Sequence, residues 1–401
     1  MARWLSAYNF TLLHALLSLI SGVDSLTFPY KRSRISGHEI FRRTALQHFA
    51  GEPSDDENAI HPNNRLMVFG LGNVGSLIAE RSSSLQVVNS TFFNGVLGTT
   101  RSTKSIPGVQ AINFDAYREL EEVLPSCTHI LVTIPPMETP TDLGSDINAT
   151  LVGGRPRRWK YFCDAVLNHP NFHIQDLVPA NTWIGFISST SVYGNHYGKW
   201  VTEDSEVKFE PGTKGELYYR AEEEWRRAAH ECGWRLHVFR ASGLYGNTRS
   251  AIHTIRKGKV EASVPNGKSK RNFPTSRIHE EDVSRAIISA MMCNEPATGA
   301  SCLWNLADDD PADRGEVMLY GKTLLDEANL LPPRITEESR SPSANPHRTE
   351  RERRRSTDRK RVGNQRIKGL LPDGELIYPT YREGLRSILD SNRKEWFGFS
   401  E

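Results

Sequence analysis

Arg65-Leu66-Met67-Val68-Phe69-Gly70-Leu71-Gly72-Asn73-Val74-Gly75-Ser76-Leu77-Ile78-Ala79-Glu80 decides the fold. An apolar run short enough for a buried strand leads straight into Gly70, Gly72 and Gly75, and an apolar, helix-spaced segment follows. That is the strand, turn and helix context in which G-x-G-x-x-G spacing acquires meaning. Gly70 permits the turn, and Gly72 lets backbone amides approach a pyrophosphate with no Cβ in the way. Gly75 lets the helix pack closely on the strand. Asn73 and Val74 open that helix, whose N-terminus supplies partial positive charge for phosphates. A glycine-rich turn without a ligand is the plain alternative; the flanking strand and helix favour a bound dinucleotide.

Downstream, Asn94 to Ser102 reads as a second strand with a polar end, Thr100-Arg101-Ser102, and Lys104 close behind. An acid at this end would accept hydrogen bonds from the ribose hydroxyls of NAD. Arg101 suits a 2′-phosphate instead, by charge and by its planar donor fork, so NADP is favoured over NAD. A solvated basic loop is the competing reading. Val109 to Asp115 makes a short third strand that places Asp115 near the adenine, and Tyr117 to Val123 suits a helix. His129 to Pro136 is a near-continuous apolar strand of the parallel, doubly covered kind. It stops at Pro135 and Pro136, which lack amide donors, where the central part of the cofactor would pass. Trp159 to Leu167 suits a helix, and Trp183 to Ser189 another buried strand. The alternation predicts an α/β fold, a Rossmann-type doubly wound parallel sheet with right-handed crossovers.

Composition bounds the partners. The 401-residue chain carries a formal net charge of only +2, which gives no general argument for nucleic-acid binding. Five scattered cysteines without C-x-x-C spacing indicate neither a metal site nor a disulfide framework. The segment Phe10 to Ile20 is an apolar run of signal-peptide length, too short for a comfortable permanent span. From Phe28 the chain turns basic and hydroxyl-rich. A signal-like segment (1–27) followed by a transit-like segment and linker (28–63) resembles a bipartite plastid presequence. A secretory signal, a mitochondrial presequence and a membrane anchor are the rivals. The sequons at Asn89 and Asn148 matter only in a secretory lumen.

A family resemblance enters with Ser188-Ser189-Thr190-Ser191-Val192-Tyr193-Gly194, which resembles the S-S-x-x-V-Y-G segment of extended short-chain dehydrogenase/reductases. Arg240 to Gly246 resembles their R-x-x-x-x-Y-G segment, and His279 to Val283 their H-x-x-D-V segment, with Asp282 placed to cap the helix through Met292. Lys360 to Asn364 and Tyr378 to Leu385 resemble a narrower set, the atypical members described as nucleoside-diphosphate-sugar-epimerase-like. The resemblance covers about 65–390. It implies a Rossmann half over about 64–250 and a smaller C-terminal substrate lobe over about 251–395, carrying a basic insert at 340–361. It also implies a dinucleotide cofactor and a small-molecule substrate of the sugar-nucleotide kind. His253 to Lys259 and Lys268 to Arg271 would supply cations for its diphosphate; solvated surface is the alternative. The insert lacks the aromatic residues that a nucleic-acid arm would use for stacking.

The same resemblance implies a Ser or Thr, a Tyr that exchanges the proton, and a Lys four residues later that lowers the phenol pKa. Ser189 stands at the serine position. Tyr218 and Tyr219 are the candidate tyrosines, yet the residues four further on are Glu222 and Glu223. If Glu222 is aligned with the glutamate that commonly follows the Lys, the Tyr position becomes Lys214 and the Lys position Tyr218. Either way the dyad is absent. His196 and Tyr197 would lie near the nicotinamide end or on an exposed loop. Two functions follow: an NADP-dependent oxidoreductase or epimerase with departed acid/base residues, or a non-catalytic NADP(H)-binding sensor or scaffold. Oligomeric state is not legible.

Overall fold

The computed structural model describes residues 64–87, 90–137, 164–169, 171–258, 273–331 and 359–397. The presequence segments, Asn89 and Asn148 of the two sequons, Lys268 to Arg271, most of the expected 159–167 helix and most of the basic insert lie outside these residues.

Strand β1 (Arg65–Phe69) shows why the sheet is covered on both sides. Leu66 and Val68 point into one core with Leu131, while Met67 and Phe69 point into another with Ile130, Phe186 and Trp225. Alternate side chains of a strand face opposite ways, so an uninterrupted apolar run demands a layer on each face. The longer strands that follow in the first half are β2 (Gly95–Thr100), β3 (Gln110–Asn113), β4 (His129–Val132), β5 (Trp183–Ser189) and β6 (Arg235–Ala241). Later come β7 (Gly243–Tyr245), β8 (Arg277–His279) and β9 (Ser301–Leu306). Seven of these form one parallel sheet in the order β3-β2-β1-β4-β5-β6-β9. The order reverses between β1 and β4, and ligands of open α/β sheets bind at such a switch point, beyond the carboxyl ends of the strands.

Helices α1 (Asn73–Ser83), α2 (Tyr117–Val123) and α3 (Lys214–Cys232) come from the first half. Helix α3 carries an exposed Arg220–Glu216 pair one turn apart and stops at Gly233, whose φ of 69° is the left-handed geometry of a helix end. The C-terminal part adds α4 (Ala251–Arg256), α5 (Glu280–Met291), α6 (Arg314–Glu327), α7 (Gln365–Leu370) and α8 (Tyr381–Ser391). Helix α5 joins α1 on one sheet face, with Ile78, Val283 and Ile287 in a shared core, and β9 is the edge strand beside β6. Helices α4, α6 and α8 build a separate core from Ile252, Leu325 and Leu385. Reciprocal capping boxes, Asp313 with Glu316 and Thr380 with Glu383, start α6 and α8. A short parallel pairing of Arg361–Val362 with Trp200–Val201 returns the late chain to the first half.

The sequence reading places α2 and β5 at their observed limits. It overextends β4, which ends at Val132 before the prolines, and trims less from β2 and β3 than the structure does. Asp282 does not cap α5. His279 is the cap, its ring accepting from the Glu281 amide at 3.2 Å. Asp282 lies inside the helix, fully buried, and accepts from the Ile377 and Tyr378 amides at 2.7 and 3.1 Å. Its carboxylate anchors the late chain to α5 instead. Among the described residues, no helix is long and apolar enough to cross a membrane.

Candidate functional site

The glycine turn sits at the switch point. Gly70 has φ 101° and donates from its amide to Thr99 Oγ1 at 2.9 Å. Thr133 Oγ1, just past β4, donates to the Gly70 carbonyl at 2.7 Å, so the turn is braced by both strands flanking β1. A Cβ on Gly75 would stand 2.1 Å from the Gly70 oxygen, which leaves no room for any side chain where α1 meets the turn. At Gly72 the reverse holds: a Cβ there would meet nothing within 4 Å. Gly72 is also the N-cap of α1 and brings no capping side chain. The first amides of an eleven-residue helix, those of Asn73 and Val74 among them, therefore face open space with the positive end of the helix dipole behind them. The Asn73 side chain turns away and donates to Thr248 Oγ1 at 2.6 Å. The cradle suits a pyrophosphate.

The ends of β2 and β3 line one side of this opening. The Leu71 amide donates to the Thr99 carbonyl at 2.8 Å, which fixes the turn beside β2. Thr100 and Ser102 share a hydroxyl contact at 3.0 Å. Arg101 and Asp115 meet each other: Nε to Oδ2 and Nη2 to Oδ1, both at 3.1 Å, with the guanidinium 5.1 Å from the Phe114 ring centroid. Lys104 reaches back and donates to Ser76 Oγ at 2.6 Å. Pro135 is exposed and Pro136 buried, just past Thr133.

Ser189 ends β5, and its hydroxyl accepts from the Ser191 amide at 3.2 Å. The next turn carries Tyr193, which donates to Asn305 at 2.8 Å and lies under Arg240, so the V-Y-G tyrosine is a core residue. A Cβ on Gly215 would stand 2.4 Å from the Ser191 carbonyl, so the first turn of α3 is pressed against this segment. Lys214 Nζ lies 4.9 Å from the Tyr218 ring centroid. Tyr218 is buried, and burial raises its phenol pKa. Tyr219 is half-buried and packs on Phe209. Glu222 does not face either tyrosine as a bare charge. It is fully buried, accepts both Arg240 Nε and Nη2 at 3.0 and 2.7 Å, and also takes Ser188 Oγ at 2.6 Å and Arg226 Nη2 at 3.1 Å. Burial opposes the charge on Arg240, and the Glu222 bonds outweigh it to raise the guanidinium pKa. Glu223 points outward to Arg226. Desolvation, and not a neighbouring carboxylate, is what disfavours the Tyr218 phenolate in the fold. Tyr197 is exposed, and His196 Nε2 donates to the Glu206 carbonyl at 3.0 Å.

A cavity of about 480 Å³ opens in the C-terminal part and is reached by Thr190 from the turn after β5. Arg249, Arg277, Arg314 and Lys360 line it, along with Tyr245 and Val317. Lys360 Nζ also donates to the Gly194 carbonyl at 3.1 Å, which ties the late chain to the V-Y-G turn. Four cations around one cavity favour an anionic ligand. Sequence reading missed all four in this role, because they come from four separate segments; the local signals were Arg277 beside the His279 motif and Lys360 at the start of the Lys360 to Asn364 segment. Asp308, whose amide donates to the Arg277 carbonyl at 2.6 Å, is buried beside that cavity residue. Burial pushes its pKa up to about 8, against the opposing charge of Arg277 and with a further push from Asp310.

No family model matches the chain, and no curated protein matches it. Solved structures do. A functionally unknown conserved protein from Silicibacter pomeroyi DSS superposes with a TM-score of 0.57 at 23% identity, over 82% of this chain and 99% of that one. A putative NAD-dependent epimerase/dehydratase from Methylobacillus flagellatus gives 0.52 at 20%, over 83% and 100%. UDP-glucuronic acid 4-epimerase from Bacillus cereus, in complex with NAD, gives 0.52 at 14%, over 84% and 99%. The fold is that of the NAD-dependent epimerases and dehydratases. At these identities the likeness concerns the backbone, and the chemistry must be argued from this chain's own side chains.

Proposed function

We propose that the protein binds NADP(H) at the glycine turn and a small anionic molecule, a sugar nucleotide or a relative of one, in the cation-lined cavity. The observation that carries the reading is the pairing of a sterically closed Gly75 with open space over Gly72, in front of an uncapped helix. The amides of Gly72, Asn73 and Val74 would hold the pyrophosphate. Thr100, Arg101 and Ser102 would hold the adenosine end, where Arg101 supports a 2′-phosphate, and the chain past Thr133 would border the central part. A bound nicotinamide would supply hydride transfer.

This chain's own residues do not complete the tyrosine-based proton transfer of the epimerases. Ser189 is retained, but Tyr218 sits in a desolvated setting that raises its pKa, with no Lys one turn on. Glu222 is committed to Arg240 and offers no free carboxylate. This favours either a different proton carrier or the second reading, an NADP(H)-binding sensor or scaffold. Residues 1–63 would direct the protein to a plastid, as their signal-like and then basic, hydroxylated composition supports. Mixing the chain from Asn64 onward with NADPH or NADP, with and without UDP-sugars, and following nicotinamide absorbance and fluorescence separates the readings. Cofactor binding with turnover supports the enzyme; binding without turnover supports the sensor; no binding refutes both.

A further inference from the structure

We propose that Asp115 sets the cofactor preference of the cleft by occupying the donor fork of Arg101, so that a 2′-phosphate must displace a built-in carboxylate. This rests on the dinucleotide reading of the glycine turn. Asp115 stands at the end of β3 and Arg101 at the end of β2, on strands paired Thr100 to Asn113. The contact is bidentate, at 3.1 Å on each arm, and uses both carboxylate oxygens. Planar pairing of this kind is the geometry in which a guanidinium also takes phosphate. The carboxylate is held in place by its backbone: the Asp115 amide donates to Asn113 Oδ1 at 2.9 Å, and the Phe114 amide to the Thr100 carbonyl at 3.2 Å. The guanidinium lies over Phe114, whose ring packs edge-on against His169, itself stacked on Phe172 at 4.2 Å. Arg101 is thus presented on an aromatic shelf, with its fork toward Asp115.

The sequence places Asp115 near the adenine, where it would help NAD and NADP alike. The geometry gives it a different consequence. A carboxylate that holds the fork of Arg101 penalises only the nucleotide that carries the phosphate. Both side chains are about two-thirds exposed (64% and 62%), so the pair is screened and displaceable, and the penalty is small. The arrangement moderates the preference for NADP(H) without abolishing it.

Fluorescence titration of NADPH and NADH against the wild-type chain, Asp115→Asn and Arg101→Ala tests this without any turnover. Adenosine 2′,5′-bisphosphate as a competitor isolates the adenosine end. Asp115→Asn is expected to tighten NADPH and the bisphosphate about two- to fivefold, the range that an exposed ion pair spans, with NADH within twofold of wild type. Equal weakening of NADPH and NADH would show that Asp115 serves the adenine or the loop and would overturn the proposal. Unchanged NADPH affinity in Asp115→Asn would overturn it as well. A wild-type chain that binds neither nucleotide overturns the cleft reading and this assignment with it.

Discussion

Helices α1 and α3 both start at the carboxyl edge of the sheet, and both begin with a glycine that packs against backbone. A Cβ would stand 2.1 Å from an oxygen at Gly75 and 2.4 Å from one at Gly215. Beyond that the two starts diverge. The α1 start is left open over Gly72, with no capping side chain. The α3 start is filled by protein: Tyr218 is packed in the core, and Glu222 one turn later is saturated by Arg240, Ser188 and Arg226. Space and unpaired donors are what a ligand needs, whereas saturated, desolvated groups hold a fold together. The contrast separates an open helix start from a closed one.

The largest effect should come from breaking the closed side. Glu222→Ala leaves Arg240 buried without its carboxylate, which costs about 3–5 kcal/mol in unfolding free energy. A denaturant midpoint within 1 kcal/mol of wild type, by the usual conversion, would show that the pair is not structural.

The cavity side is sharpened by pH. Asp308 has an unfolded pKa of about 3.9 and a folded one pushed up to about 8, so the folded state holds one more proton across that interval. Stability therefore falls as pH rises toward about 8, with a slope of about 1.4 kcal/mol per unit, and levels off above. Asp282, raised to about 7, acts in the same sense up to that point. His129, His237 and His279, pushed down to about 3, 4 and 3 by burial, act in the opposite sense, and only below their unfolded value of about 6.5. Burial raises Asp164 and Glu280 as well, and they act in the same sense as Asp308, so Asp308→Asn should lessen the fall toward about pH 8 in a series of denaturant melts. An undiminished slope in that variant contradicts the assignment.

The fold was legible where the signal is local. The apolar run into Gly70, Gly72 and Gly75 needs no distant partner to be read, and neither do the burial-driven limits of β5. Legibility failed wherever a side chain's role depends on a residue far along the chain. Asp282 reads as a cap because acids favour helix starts, yet the distant amides of Ile377 and Tyr378 claimed it. Glu222 reads as a misplaced charge until Arg240, on the neighbouring strand, supplies its partner. Lys360 joins the other cations of the cavity because the late chain returns beside Gly194.

The smallest effect is expected at the tyrosines. Desolvation is what shifts the Tyr218 phenol, and Tyr218→Phe keeps the packed ring, so it should change stability by less than about 0.5 kcal/mol. Tyr218→Phe and Tyr219→Phe, singly or together, should leave any established turnover unchanged. A fall of about a hundredfold or more with cofactor affinity intact, the size that general acid/base catalysis commands, would return a catalytic role to one of them.

The central claim, that the open start of α1 is an NADP(H) site, is tested most directly by titrating the chain from Asn64 onward with NADPH and NADH, beside Arg101→Ala. Tighter binding of NADPH than NADH is predicted, with Arg101→Ala weakening NADPH about ten- to hundredfold through loss of a charge-assisted contact worth about 1.5–3 kcal/mol. NADH should be unaffected by that substitution. Equal affinities that Arg101→Ala leaves unchanged would contradict the account.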